Sequence, residues 1–146
     1  MQFHHFTPSD LPKLKQMMQD FYLSEHISFH PEEASRCLLE LAAKKNLGEI
    51  FLLEDENETI GYVILCYTYS LEFHGIYGFL DEIYLKENFR GLGIGSLVME
   101  ELVLHAKKRG CTHLRLEVET ENSQAIHFYT KRGFHSHARY LMTRKI

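Results

Sequence analysis

Leu80-Asp81-Glu82-Ile83-Tyr84-Leu85-Lys86-Glu87-Asn88-Phe89-Arg90-Gly91-Leu92-Gly93-Ile94-Gly95-Ser96 joins two kinds of periodicity within a short span. Residues 80–85 are β-branched, aromatic and alternating in character and read as a strand. From Ile94 the apolar residues Ile94, Leu97, Val98 and Leu102 recur at helical spacing, and the pattern runs to Arg109. Lys107, Lys108 and Arg109 fall in the last turn and Gly110 follows, a helix stop. Between strand and helix stand Gly91, Gly93 and Gly95. A helix start leaves peptide N–H groups unpaired and carries partial positive charge. Glycine lets an anion reach those groups. The stretch is therefore expected to cradle a phosphate.

The spacing narrows the ligand. A Walker loop needs Gly-Lys-Ser/Thr, but Gly95 is followed by Ser96 and Leu97. A dinucleotide fingerprint needs Gly-x-Gly-x-x-Gly early in a βαβ unit, whereas these glycines are spaced Gly-x-Gly-x-Gly and come late. The pattern Arg90-x-x-Gly93-x-Gly95 instead resembles the pyrophosphate loop of the GNAT family of N-acetyltransferases, which bind acetyl-coenzyme A. A second segment resembles the same family's later motif. Glu117-Val118-Glu119 leads to Asn122, then Ala125, Phe128-Tyr129 and Gly133-Phe134. Tyr140 to Arg144 is similar to its closing strand. The resemblance is best over residues 61–146; before Gly61 only element order and the helix pattern of residues 10–22 agree.

A chain of 146 residues with 45% hydrophobic content is read as one domain, residues 1–146, with a sizeable core. A formal net charge of −4 argues against a general nucleic-acid or membrane-surface binder. Cys37, Cys66 and Cys111 are odd in number and lack metal spacing, so buried free thiols in a reducing compartment are expected. No signal-peptide pattern or membrane-length apolar run is present, and a cytoplasmic protein is expected. Ten histidines include only two close sets, His4-His5 and His135-x-His137, and no further ligand completes either, so no metal is expected.

The elements follow in order. Residues 2–6 read as a strand. Thr7-Pro8-Ser9-Asp10 opens a helix whose apolar face is Leu11, Leu14, Met18, Phe21 and Tyr22, ending near Ser24. His30-Pro31-Glu32-Glu33 opens a second, with Ala34, Cys37, Leu38 and Leu41 inward. Strands are expected at 50–54 and 59–69, joined by the polar turn Asp55-Glu56-Asn57-Glu58. The all-apolar run from Tyr62 to Tyr67 marks a central strand covered on both faces. A strand at 76–85, a helix at 93–109, a strand at 113–118 and a helix at 123–132 come next. Strands at 134–138 and 140–145 are expected to close the sheet. The fold class is α/β: a mixed, mostly antiparallel sheet with helices on both faces, like the GNAT acyltransferase fold.

The resemblance implies a site. In that family the strands matching 76–85 and 113–118 splay apart, and the coenzyme lies between them. Its pyrophosphate would then lie on Arg90, Gly91, Gly93, Ile94, Gly95 and Ser96. Backbone groups of Ile83 and Leu85 would be left to pair with the pantetheine arm, and Asn122 would bond the same arm. Acetyl transfer to an amine needs a base for the ammonium proton, stabilisation of the carbonyl oxygen, and help for the leaving thiolate. Tyr129 holds the family's position for the acid that serves the thiolate. Asp81 falls near a family glutamate and is the candidate base, with Glu82 close behind it; a bulge in the strand would exchange the two. No protein nucleophile is needed. The acceptor amine would meet Phe21, Tyr22, Glu25, Ser70, Glu72, Phe73 and His74, whose acids suit a cation. Acetyl-coenzyme A is thus the expected co-substrate, a small-molecule amine the expected partner, and a homodimer a further expectation by analogy. Two other functions stay open: a coenzyme A-binding sensor or partner module without catalysis, and a dinucleotide-dependent reductase.

Overall fold

Tyr62, Val63 and Leu65 are wholly buried and Ile64 nearly so, which is what an unbroken apolar run requires of its strand. The computed structural model describes residues 1–56 and 58–146; Asn57 of the turn at 55–58 lies outside the described residues. The chain falls into two compact units, Met1–Leu116 and Glu117–Ile146.

The first unit begins with β1 (Gln2–His5) and a 3-10 turn (Pro8–Asp10), which leads into α1 (Leu11–Ser24). There follow α2 (Pro31–Ala43), β2 (Gly48–Asp55), β3 (Glu58–Ser70), β4 (Gly75–Leu85), a short 3-10 turn (Glu87–Phe89), α3 (Ile94–Lys108) and β5 (Leu114–Leu116). Among the described residues, five strands form one sheet in the order β1-β2-β3-β4-β5. Pairing is antiparallel from β1 to β4 and parallel between β4 and β5. The sheet is mixed and mostly antiparallel, with helices on both faces. Alternation along β2 and β3 sorts their side chains. Ile50, Leu52, Tyr62 and Ile64 join Leu14, Met17 and Met18 of α1 and Leu38 of α2 in one core. On the other face the Phe51 ring meets His105 of α3, centroids 4.8 Å apart. His105 Nε2 lies 2.7 Å from Glu49 Oε2, and the Tyr67 hydroxyl donates to the same carboxylate. Among the described residues, no helix is long and apolar enough to cross a membrane.

Gly61 marks a close approach of backbone to backbone. A Cβ placed there would stand 2.1 Å from the Tyr84 carbonyl oxygen and 3.0 Å from Leu85 Cδ2. The carbonyl belongs to the sheet and cannot yield cheaply. Gly61→Ala is expected to destabilise the protein by about 3 kcal/mol, a fall of about 10 °C in Tm. A thermal melt within about 2 °C of the parent would show that the strands part easily there.

Three expectations need correction. The strand expected at 113–118 is confined to Leu114–Leu116, so its parallel pairing stops at Leu80. The strands expected at 134–138 and 140–145 do not form among the described residues. His135, Ser136, His137, Ala138 and Arg139 offer no large apolar side chain with which to hold a sheet face. Tyr140, Leu141 and Met142 remain 98%, 72% and 89% exposed. Cys37, expected inside, is exposed, while Cys66 and Cys111 are half-buried; all three are free thiols.

Candidate active site

A single extra residue in β4 decides where its two acids point. The register runs Val63 opposite Ile83 and Ile64 opposite Glu82, then jumps to Leu65 opposite Leu80. Asp81 is the residue left over, so the strand bulges there. Opposed residues share a face, which sends Leu80 with Leu65 toward α3 and Glu82 with Ile64 toward α1 and α2. Leu80 is buried, Glu82 half-buried and Asp81 exposed.

Glu82 is tied at both ends. The Tyr22 hydroxyl donates to Oε1 at 2.6 Å and the Tyr62 hydroxyl to Oε2 at 2.8 Å. Burial pushes the carboxyl above the ordinary range of a glutamate; the two phenol bonds pull it down and neighbouring Asp81 pushes it up. The net direction is upward. Burial and the Glu82 carboxylate also hold the Tyr22 and Tyr62 protons far more tightly than usual. The same environment pushes the Cys66 thiol up to about 11, so it stays protonated.

Asp81, Glu82 and Tyr22 line a cleft of about 330 Å³ between β4 and the first two helices, which Phe29, Glu33 and Cys37 help to wall. The volume suits a small organic ligand. Of the residues expected to meet an acceptor, Tyr22 is in this cleft. Phe21 packs behind it, edge-on to Tyr22, Tyr62 and Tyr84. Glu25 is exposed just past the end of α1. Ser70 ends β3, and Glu72, Phe73 and His74 lie in the turn that enters β4 at its other end. Seven residue-to-residue steps lead from Gly75 to Glu82, about 23 Å of strand. Phe73 there meets Tyr77 edge-on and His113 at a tilt, and the Arg115 guanidinium sits over its ring. The structure thus divides the expected acceptor set. Sequence reading missed Phe29 and Glu33, and treated Tyr62 only as core. A hydroxyl in the middle of an apolar strand demands a partner, and that demand was the available signal.

The glycine loop is built as an open helix start. Gly93 precedes α3 with φ +82, and no side chain caps the helix. A Cβ at Gly91 or Gly93 would meet nothing within 4 Å. The glycines are required by backbone conformation and leave the helix start bare. β4 continues to Leu85 beyond its last pairing with β5. One expected ligand group is already engaged: the Leu85 carbonyl accepts from Arg90 Nε at 2.8 Å. The Arg90 guanidinium also sits over the Tyr84 ring at 5.4 Å, which leaves its terminal nitrogens to reach an anion. A cradle that side chains would fill, at a helix N-terminus flanked by an arginine, fits a pyrophosphate.

The second unit carries α4 (Ser123–Thr130). Asn122 Oδ1 accepts from the Ala125 N–H at 3.0 Å, so Asn122 caps this helix. Tyr129 packs edge-on against Phe128 and Phe134. The Phe134 N–H bonds back to the Tyr129 carbonyl at 3.2 Å. Burial raises the Tyr129 phenol, so its proton is retained at neutral pH.

Comparison with known proteins gives a consistent set. Residues 14–134 match the model of the acetyltransferase (GNAT) family. The thialysine N-epsilon-acetyltransferase of Bos taurus is 35% identical over 74 residues, covering 51% of this chain and 43% of that protein. The [ribosomal protein bS18]-alanine N-acetyltransferase of Haemophilus influenzae is 35% identical over 94 residues, 62% of this chain and 60% of that one. The chain thus matches less than two thirds of the length of either relative. Integron cassette protein HFX_CASS3, from the mobile metagenome of Cole Harbour Salt Marsh, superposes with a TM-score of 0.87 at 26% identity, covering 99% of this chain and 90% of that one.

Proposed function

Because the chain belongs to the acetyltransferase (GNAT) family, we propose that it transfers the acetyl group of acetyl-coenzyme A to the primary amine of a small molecule, by direct attack in a ternary complex. The observation that carries the reading is Glu82, a half-buried carboxylate held by two hydroxyls in a cleft of about 330 Å³. A base of raised proton affinity is suited to relieve an ammonium group of its proton near neutral pH. The bulge favours Glu82 over Asp81 in that role. Asp81 and Glu33 line the same cleft and make it attractive to a cation.

Arg90, Gly91, Gly93, Ile94, Gly95 and Ser96 would hold the pyrophosphate, and the backbone of Ile83 and Leu85 would run beside the pantetheine arm. When bound, acetyl-coenzyme A supplies the acyl thioester. Asn122 caps the helix that carries Tyr129. The retained Tyr129 proton is the one assigned to the departing thiolate. The bovine relative is named for thialysine and the Haemophilus relative for an alanine of ribosomal protein bS18. The relatives therefore span small-molecule and protein amines, and the small volume of the cleft, about 330 Å³, favours the former here.

Calorimetry with acetyl-coenzyme A and with NADH, followed by an amine panel read by release of free thiol, tests the proposal. Acetyl-coenzyme A should bind and NADH should not, and at least one small amine should release thiol. Binding of acetyl-coenzyme A without turnover on any amine or peptide would favour a sensor module. Tyr129→Phe keeps the ring and removes the acid. Turnover should fall about a hundredfold, while the coenzyme Kd and Tm stay near the parent's, because the lost help belongs to the transition state. Full activity in the folded variant would remove Tyr129 from the chemistry.

A further inference from the structure

We propose that Tyr62 and Tyr22 are positioning residues for the base: their hydroxyls fix the Glu82 carboxylate in one orientation and set how readily it accepts a proton. The inference rests on the reading of Glu82 as the base. Its geometry is independent of that reading. Each carboxylate oxygen receives one donor, and the two donors come from different elements, α1 and β3. Rotating the carboxyl group about its Cγ–Cδ bond would break both bonds together. Neither donor is free to follow. The Tyr62 ring is wholly buried and stacks on Tyr84, centroids 5.7 Å apart. The Tyr22 ring is wedged edge-on between Phe21 and Phe29 at 5.8 and 5.4 Å.

The chemistry follows from counting acceptors. A carboxylate offers about four lone-pair sites, and a protonated carboxyl gives one of them up. With a phenol on each oxygen, a proton arriving at either weakens the carboxyl group as an acceptor for both bonds. The two hydroxyls therefore favour the ionised form, against the burial that disfavours it. Other titratable groups lie around the same cleft. Asp81 is on its own strand, Cys66 on β3, and His30, Glu33 and Cys37 line the cleft from the α2 side. Among the described residues, the two phenols are the groups that donate hydrogen bonds to it. A carboxylate pinned in this way also presents its remaining lone pairs in one fixed direction, which is what an incoming ammonium group needs.

The test reads the proton on Glu82 directly, by side-chain ¹³C carboxyl titration of the intact protein, with the resonance assigned from its loss in Glu82→Gln. The parent midpoint should lie above the ordinary glutamate value of about 4.3. Tyr62→Phe and Tyr22→Phe should each raise it by about one pH unit, since each removes a hydrogen bond to the charged form. The acid limb of kcat/KM, measured with any accepted amine, should move by the same amount, and activity should return toward the parental plateau at higher pH. A merely structural role would lower Tm or the plateau and leave the midpoint in place. Tyr22 is not in the sheet, so its variant keeps the test available if Tyr62→Phe folds poorly. Midpoints within about 0.2 pH units of the parent in both variants, with Glu82→Gln inactive, would overturn this proposal alone. Parental turnover in Glu82→Gln would overturn the base assignment and this proposal with it.

Discussion

Gly93→Glu is expected to abolish acetyl-coenzyme A binding in a protein that still folds. Two effects meet at this residue and have different sizes. The first is conformational. Gly93 has φ +82, a region where a side chain costs about 1–2 kcal/mol. No atom lies within 4 Å of the added Cβ, so no clash adds to the strain, and Tm should fall by only about 5 °C. The second is electrostatic. The new carboxylate stands at the start of α3, where no side chain caps the helix and where the pyrophosphate is proposed to lie. The helix start would attract this carboxylate as readily as a phosphate. The variant thus supplies its own anion and repels the incoming one. Like charges brought together cost several kcal/mol, and each 1.4 kcal/mol is tenfold in Kd, so the loss should be about a thousandfold or more. Gly93→Ala separates the effects: it keeps the strain, lacks the charge, and should bind much closer to the parent. Calorimetry and a melt on both variants decide the matter. A folded Gly93→Glu with parental affinity would move the coenzyme away from this loop.

What was legible in the chain follows the range of the interactions concerned. α3 and its glycine approach could be read because a helical stripe, a basic last turn and alternate glycines are local features. The central place of β3 could be read because an unbroken apolar run has only one comfortable position in a sheet. The bulge at Asp81 could not. It consists of one surplus residue between the pairs Ile64–Glu82 and Leu65–Leu80, a property of two strands together. Nothing local distinguishes Asp81-Glu82 from an ordinary alternating pair. Which of Asp81 and Glu82 turns toward α1 and α2 therefore depends on a register that the chain does not display. The partnership of Tyr22 with Glu82 spans 60 positions and had no local signal. Tyr62 had one, the burial of a hydroxyl, but its partner depended on the register. The acceptor loop at 70–74 was placed by analogy, and the length of β4 carries it away from Glu82. The closing strands failed for another reason. Tyr140, Leu141 and Met142 look like a strand, but a strand needs a neighbour with which to share its ladder, and neither segment is paired among the described residues.

Glu82→Gln removes the proposed base with little change of shape, and turnover should fall by two to four orders of magnitude, on the scale of about 10²–10⁴ for a positioned base. Glutamine keeps one oxygen to accept a phenol, and its amide can meet the oxygen of the other, so the Tyr22 and Tyr62 contacts survive in altered form. The amide cannot take a proton from an ammonium group. Coenzyme affinity should hardly change. The pH dependence gives a second reading. The Glu82 carboxyl lies above its ordinary range, and the base acts in its ionised form. Parental activity should therefore rise with pH through that raised value, and the rise should be missing from the variant's residual rate. Stability runs the other way. A carboxyl whose folded pKa exceeds its unfolded one helps the folded state below the unfolded pKa, and that help is lost as pH rises through the folded value. The variant has no such loss. Its Tm relative to the parent should therefore improve on going from about pH 4 to neutrality, even as its activity there is lowest relative to the parent's. A destabilised structure would lower both together. Opposite movements of melting temperature and turnover are thus the signature of a base held ready at a cost. Parental turnover in a folded Glu82→Gln would assign the ammonium proton to Asp81 or to water.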